Sequence, residues 1–107
     1  MADASRSSGV LGASAVISTT QCRLKSIHAN LVVVSNAAIT IKVFDGQDNT
    51  GTELARIHNT TTGQYNIEYD MHGVVATGGL FLEIAEAGSS NCHVSVEFNW
   101  GDYYSCS

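Results

Sequence analysis

The chain has 107 residues, of which 44% are hydrophobic and only 14% carry a charged side chain. This length fits one domain with a single core, and the low charge excludes a disordered polar chain. The net charge is −5, and the five basic residues are scattered along the chain. Because nucleic-acid binding requires clustered Lys and Arg, no nucleic-acid partner is expected. Since no apolar stretch approaches the length of a membrane span or a signal core, no membrane partner is expected either.

Residues 1–8 are small and polar without periodicity, which predicts a flexible N-terminal arm, and residues 9–107 form the predicted domain. Short runs of alternating apolar and polar residues then follow, closed by Gly, Asn, Asp or Ser, and no window has helical periodicity. The runs predict strands in this order: 10–20, 22–29 continuing or bending into 31–34, 38–44, 53–58, 65–71, 80–84 and 92–100. Seven or eight strands at this spacing predict an all-β, single-domain antiparallel β-sandwich, jelly-roll-like in character.

Alternation also predicts which side chains share a face. In the second run, strict alternation places Leu24 on one face and Ile27 on the other. In the last run, Cys92, Val94, Val96, Phe98 and Trp100 share one face, which is expected to be buried. Gly73 and the Gly78–Gly79 pair are expected to bracket a short connection.

The candidate chemical groups do not form a catalytic pattern. The cysteines, Cys22, Cys92 and Cys106, are odd in number and widely spaced, which indicates free thiols with Cys92 in the core. The Asp45–Gly51 segment resembles an oxygen-rich calcium loop but lacks the required order and distal Glu, so a polar turn is the simpler interpretation. The four histidines and the acidic residues of the strands show no metal or hydrolase spacing. We therefore predict a protein that is not an enzyme and has no cofactor.

The candidate interaction residues lie near the two ends of the chain. Aromatic residues and Arg are enriched in protein interfaces, and Trp100, Tyr103 and Tyr104 lie near the end of the chain, while Arg6 lies in the predicted arm. These four residues are the predicted interface. The low charge is consistent with self-association or with outer faces solvated by Ser, Thr, Asn and Gln, and the absence of proline leaves strand edges open to a partner strand.

Several short motifs resemble those of small virion proteins of tailed bacteriophages, such as capsid decoration, head-fibre and tail accessory proteins. The matching pieces are Asp45-Gly46, the Gly51 to Leu54 return strand, Gly73-Val74, the Gly79 to Ile84 run and the closing strand from Val94 to Phe98. The resemblance spans roughly residues 10–100. It implies a non-enzymatic β-sandwich component of a phage particle, made in the host cytoplasm and located in the virion.

The main hypothesis is a capsid decoration protein that docks on the major capsid protein or another virion protein and forms a homo-oligomer, with a trimer as one arrangement. The alternative is a glycan- or receptor-binding module of a phage fibre or tail, which would use Trp100 or Tyr103 to stack on a sugar.

Overall fold

The computed structural model describes residues 6–100, which form eight β-strands and their connections. No helix occurs within this range, so none of the described residues forms a helical membrane span. The strands are β1 (Arg6–Ser7), β2 (Ala15–Ser18), β3 (Cys22–Val33), β4 (Ile39–Asp45), β5 (Thr52–Asn59), β6 (Gly63–Ala76), β7 (Leu80–Glu86) and β8 (Asn91–Asn99). The predicted segments 22–29 and 31–34 are one continuous strand, whereas only residues 15–18 of the first predicted run are a named strand.

The strands form two four-stranded antiparallel sheets. Sheet A has the order β1-β8-β3-β6, and sheet B has the order β2-β7-β4-β5. The strands pair as nested hairpins, β4 with β5, β3 with β6, β2 with β7 and β1 with β8. A long hairpin rolled up in this way is a jelly roll, so the predicted all-β sandwich and its jelly-roll character are confirmed.

The core lies between the two sheets and is built from alternate residues of the long strands. Sheet A contributes residues such as Leu24, Leu31 and Val96, and sheet B contributes residues such as Ile41 and Leu82, all almost inaccessible to solvent. Each such side chain contributes roughly 1.5–3 kcal/mol through burial of apolar surface. This core is the main source of stability because residues 6–100 contain no disulfide.

The prediction that Leu24 and Ile27 face opposite sides is wrong. Both side chains are buried, with 0% and 1% of their surface exposed. The pairing register of β3 shifts between Leu24 and Ser26 against both neighbouring strands. A β-bulge of this kind inserts an extra residue and reverses the inward and outward positions beyond it.

Candidate interaction surfaces

Two of the four predicted interface residues, Arg6 and Trp100, are in contact. The guanidinium carbon of Arg6 lies 4.7 Å from the centre of the Trp100 ring, a cation–π arrangement. The Trp100 ring meets Phe98 edge-on, with centroids 5.1 Å apart, and its Nε1 donates a 2.8 Å hydrogen bond to Ser18 Oγ. Trp100 is therefore half-buried and joins the end of sheet A to β2 of sheet B. Tyr103 and Tyr104 lie outside the described residues.

The N-terminal strap, which we define as residues 6–11, covers the outer edge of β8. Arg6 and Ser7 pair with β8, and Ser8 both donates its N–H to Val96 O and accepts the Val96 N–H through Oγ, each at 2.9 Å. Leu11 exchanges two further backbone bonds with Val94, at 2.7 and 2.8 Å. Residues 6–8, which the sequence predicted as part of a flexible arm, are instead held to the sheet, because the edge of β8 offers them backbone partners.

The opposite edge of sheet A is formed by β6 and is open. β6 is fourteen residues long and pairs with β3 on one side, whereas no other described strand pairs with its outer side. An edge strand presents a row of unpaired backbone N–H and C=O groups, to which another strand can add. A bulge interrupts the strand where the register with β3 shifts, and His72 and Gly73 have positive φ there, of 56° and 75°. β6 thus continues through Gly73, which had been expected in a connection.

A shallow polar groove of about 470 Å³ crosses the outer face of sheet A. Two histidine–carboxylate pairs lie along it, His28 Nε2 with Glu68 Oε2 at 3.4 Å and His72 Nδ1 with Asp70 Oδ1 at 3.5 Å. All four side chains are more than half exposed. Because water screens such exposed pairs, they contribute little to stability, and they define a polar surface that a hydrogen-bonding ligand could use.

Asp45 lies at the corner where the end of β4 meets the connection between β6 and β7. Its Oδ2 accepts bonds from the backbone N–H and hydroxyl of Thr77, at 3.1 and 3.2 Å, and its Oδ1 accepts the N–H of Gly78 at 2.8 Å. Burial alone would raise the pKa of Asp45, but these hydrogen bonds outweigh it and lower the pKa. The Asp45 carboxylate is therefore occupied within the fold, and the 45–51 segment is a structural turn.

Within residues 6–100, the remaining candidate chemical groups are separated or buried, and Cys106 lies outside this range. No group of three or more His, Cys, Asp or Glu in residues 6–100 could hold a metal ion. Cys22 and Cys92 are free thiols in the core, with 0% and 2% of their surface exposed. Burial, together with the nearby Glu86, raises the pKa of Cys92 to about 12, so this thiol is not a nucleophile at neutral pH.

No family model and no curated protein matches this chain. Among solved structures, it is similar to the coat protein of Tobacco streak virus, with 8% identity, a TM-score of 0.45, and 94% of this chain and 90% of that chain covered. It is also similar to a protein of Bacillus endospore appendages, disulfide-linked pili, with 10% identity, a TM-score of 0.45 and 91% and 87% covered.

A third likeness is to a chain of infectious bursal disease virus Gt strain, with 15% identity, a TM-score of 0.42 and 96% of this chain covered. This chain spans only 34% of that viral chain. All three TM-scores lie below 0.5.

Proposed function

We propose that this protein is a non-enzymatic structural component of a phage virion, and specifically a capsid decoration protein that docks on the major capsid protein. The observation that carries the proposal is the contact between Arg6 and Trp100. These two residues border the undescribed segments 1–5 and 101–107, and their side chains lie 4.7 Å apart. Both segments therefore start from one corner of the sandwich and can act together on one docking surface.

The distribution of polar groups supports an assembly role. The motif residue Asp45, which carries part of the resemblance to phage virion proteins, accepts the N–H of Gly78 and so holds one corner of the jelly roll. The exposed features of residues 6–100 include an open strand edge and a polar sheet face. A fold does not by itself determine a function, so the proposal depends on this placement together with the resemblance of the motifs.

A decoration protein of this kind stabilises a capsid by spanning neighbouring capsid subunits. Many weak contacts repeated by symmetry resist internal pressure without any single tight site. The segments 1–5 and 101–107 are proposed as the elements that contact the capsid, with Tyr103 and Tyr104 as the aromatic anchors.

The proposal is tested with purified particles and recombinant protein. We expect deletion of residues 1–5, or the double change Tyr103→Ala and Tyr104→Ala, to abolish binding to undecorated capsids while leaving thermal unfolding unchanged. Val10→Ala is the control, because Val10 is 72% exposed within the strap and belongs to neither segment. Unchanged binding by both variants would contradict docking through this corner.

The copy number in virions, counted by quantitative mass spectrometry, separates a decoration role from other virion roles. On the order of hundreds of copies indicate a capsid surface protein, and about a dozen indicate a tail or portal component, because copy number follows particle symmetry. Finding no copies would remove the virion proposal.

The polar groove on sheet A supports a second candidate, a glycan- or receptor-binding module. Exposed carboxylates such as Glu68 and Asp70 can accept hydrogen bonds from sugar hydroxyls. The Arg6 guanidinium already covers one face of the Trp100 ring, so the groove is the better site. A glycan array tests this candidate: binding that is lost in Glu68→Ala would support it, and a silent array would reject it.

A further inference from the structure

We infer that the open edge of β6 pairs with β6 of a second copy of this chain, antiparallel and about a twofold axis at Ile67, so that two sheets A become one continuous sheet. This inference goes beyond the proposed function and does not depend on it. The starting observation is the contrast between the two edges of sheet A within residues 6–100.

The β8 edge is capped by groups of the same chain. The N–H groups of Val94 and Val96 donate to Leu11 and Ser8 of the strap, and the N–H of Cys92 donates a 2.7 Å bond to Glu86 Oε2. No described strand provides a comparable cap for β6. A natural edge that is this long and lacks proline either carries strong protection or receives a partner strand.

The charges of β6 determine which register a second copy can adopt. Directly opposed residues in an antiparallel pair lie on the same face, so outward residues meet outward residues. The outward positions before the bulge are Gln64, Asn66, Glu68 and Asp70. Moving the axis to Glu68 or Asp70 would bring identical carboxylates together, and placing it at Tyr69 would oppose Glu68 to Asp70. Like charges directly opposed destabilise a sheet.

A register centred on Ile67 avoids each of these conflicts. It places Glu68 opposite Asn66 of the second copy, and Asp70 opposite Gln64, so every carboxylate faces an amide that can donate to it. Asn66 is already oriented for this role, because its Oδ1 accepts a 2.6 Å bond from Asn30 Nδ2 and its own Nδ2 remains to donate. Registers centred nearer Gly63 also avoid like charges, but they shorten the ladder.

A register centred on Ile67 also places inward-facing residues of the two copies opposite each other, and it uses the whole regular part of the β6 edge. Ile67 meets Ile67, and Tyr65 meets Tyr69, whose side chain is 39% exposed in the single chain. The paired segment runs from Gly63 to Met71 and ends where the bulge at His72 and Gly73 turns the strand. One strand pair forms a small interface, below about 1,200 Å², so we expect a weak dimer with a micromolar dissociation constant.

The test compares self-association of four forms of the full chain by sedimentation velocity over a range of concentrations. Asn66→Asp places a carboxylate opposite Glu68 at both symmetric contacts, and we expect about tenfold weaker dimerisation. Asn66→Asp combined with Glu68→Lys restores opposite charges and should restore the dimer. Asn91→Asp is the matched control, because Asn91 is an exposed residue on the same sheet, two strands away from the β6 edge.

The register itself is tested by disulfide formation in a Cys106→Ser background. A cysteine at Ile67, on the proposed axis, would have Cα atoms about 4.5–5.5 Å apart in the dimer, which permits a disulfide. Gln64→Cys, whose partner would be residue 70, should not cross-link. Four results would each overturn the inference. The wild-type protein could be monomeric at millimolar concentration or form a trimer, the Asn66→Asp variant could associate normally, or Gln64→Cys could cross-link. Loss of particle binding by a protein that still dimerises would instead count only against the proposed function.

Discussion

The carboxylate of Asp45 holds the backbone N–H of Gly78, 33 residues further along the chain, through a 2.8 Å hydrogen bond. Thr77 adds two more bonds to the same carboxylate. The connection between β6 and β7 is thereby attached to the end of β4. The connection leaves the edge strand of sheet A, and β4 belongs to sheet B, so loss of this attachment should be felt at a corner that both sheets share.

We expect Asp45→Asn to lower the free energy of unfolding by about 1–3 kcal/mol at pH 7, because donors at a partly buried position lose a charged acceptor. The pKa of Asp45 is lowered from 3.8 in the folded protein. Its contribution is therefore fully present above pH 3.8 and is lost as the pH falls through the folded pKa.

Urea unfolding at pH 7 and at pH 2.5 measures this effect. The penalty of Asp45→Asn should shrink at the lower pH. Asp48→Asn is the matched control, since Asp48 bonds only to Thr50 in its own exposed turn and should have a smaller effect. An equal penalty at both pH values would show that the carboxylate charge is not what stabilises the corner.

The two neighbouring glycines of this corner should respond very differently to alanine. Gly79 has φ of +123°, and a Cβ there would lie 2.5 Å from the carbonyl oxygen of Ser18. A Cβ at Gly78 would meet its nearest atom, Asp45 Oδ1, at 3.5 Å, an ordinary contact distance. We expect Gly79→Ala to cost roughly 2–4 kcal/mol and Gly78→Ala to cost under about 1 kcal/mol. Thermal unfolding monitored by circular dichroism would compare them, and equal stability would contradict the close approach of Ser18 to Gly79.

Ser18 should be essential for fixing the Trp100 ring. Its Oγ donates to Thr20 O at 2.8 Å and accepts the indole N–H of Trp100 at 2.8 Å. Ser18 is only 3% exposed, so Ser18→Ala leaves these groups without their partner and should cost about 1–3 kcal/mol. Trp100 is the only tryptophan of the chain, and its emission should shift to longer wavelength in this variant. Ser95→Ala, on the outer face of β8, is the control; a shift in both variants would argue against a specific role of Ser18.

The two core thiols should resist modification in the folded protein. Burial, partly offset by a hydrogen bond with Ser18, raises the pKa of Cys22, and burial together with Glu86 raises the pKa of Cys92 to about 12. At pH 8 the reactive thiolate is therefore scarce, and the sulfur atoms are inaccessible. Labelling with iodoacetamide followed by peptide mass spectrometry should modify both cysteines in urea and neither in native buffer. Rapid native labelling of Cys92 would show that the β8 edge opens frequently.

Much of the sandwich follows from local patterns. The alternation from Cys92 to Phe98 correctly predicted a half-buried strand, because side-chain direction has a period of two in any extended chain. The same rule failed between Leu24 and Ile27, where a bulge shifts the register against two neighbours at once. Nothing in residues 22–29 alone reveals that shift, since it depends on which strands lie alongside.

The interaction surfaces also combine features that residue type predicts with features that only the fold determines. Composition and residue type indicated Arg6 and Trp100 as surface candidates, but their mutual contact depends on β1 pairing with the end of β8. The open edge of β6 was not predicted either, since edge position is a property of strand order rather than of the strand's own residues.

Local sequence is enough to specify strands that are closed by tight turns and carry one apolar face each, because backbone sterics and burial act on neighbouring residues. The strand order, the bulge in β3, the use of Asp45 as a corner acceptor and the difference between the capped and open edges arise only when the chain has folded. These features depend on contacts between residues far apart in the chain, such as Asp45 with Gly78 and Ser8 with Val96, and local periodicity carries no information about such contacts.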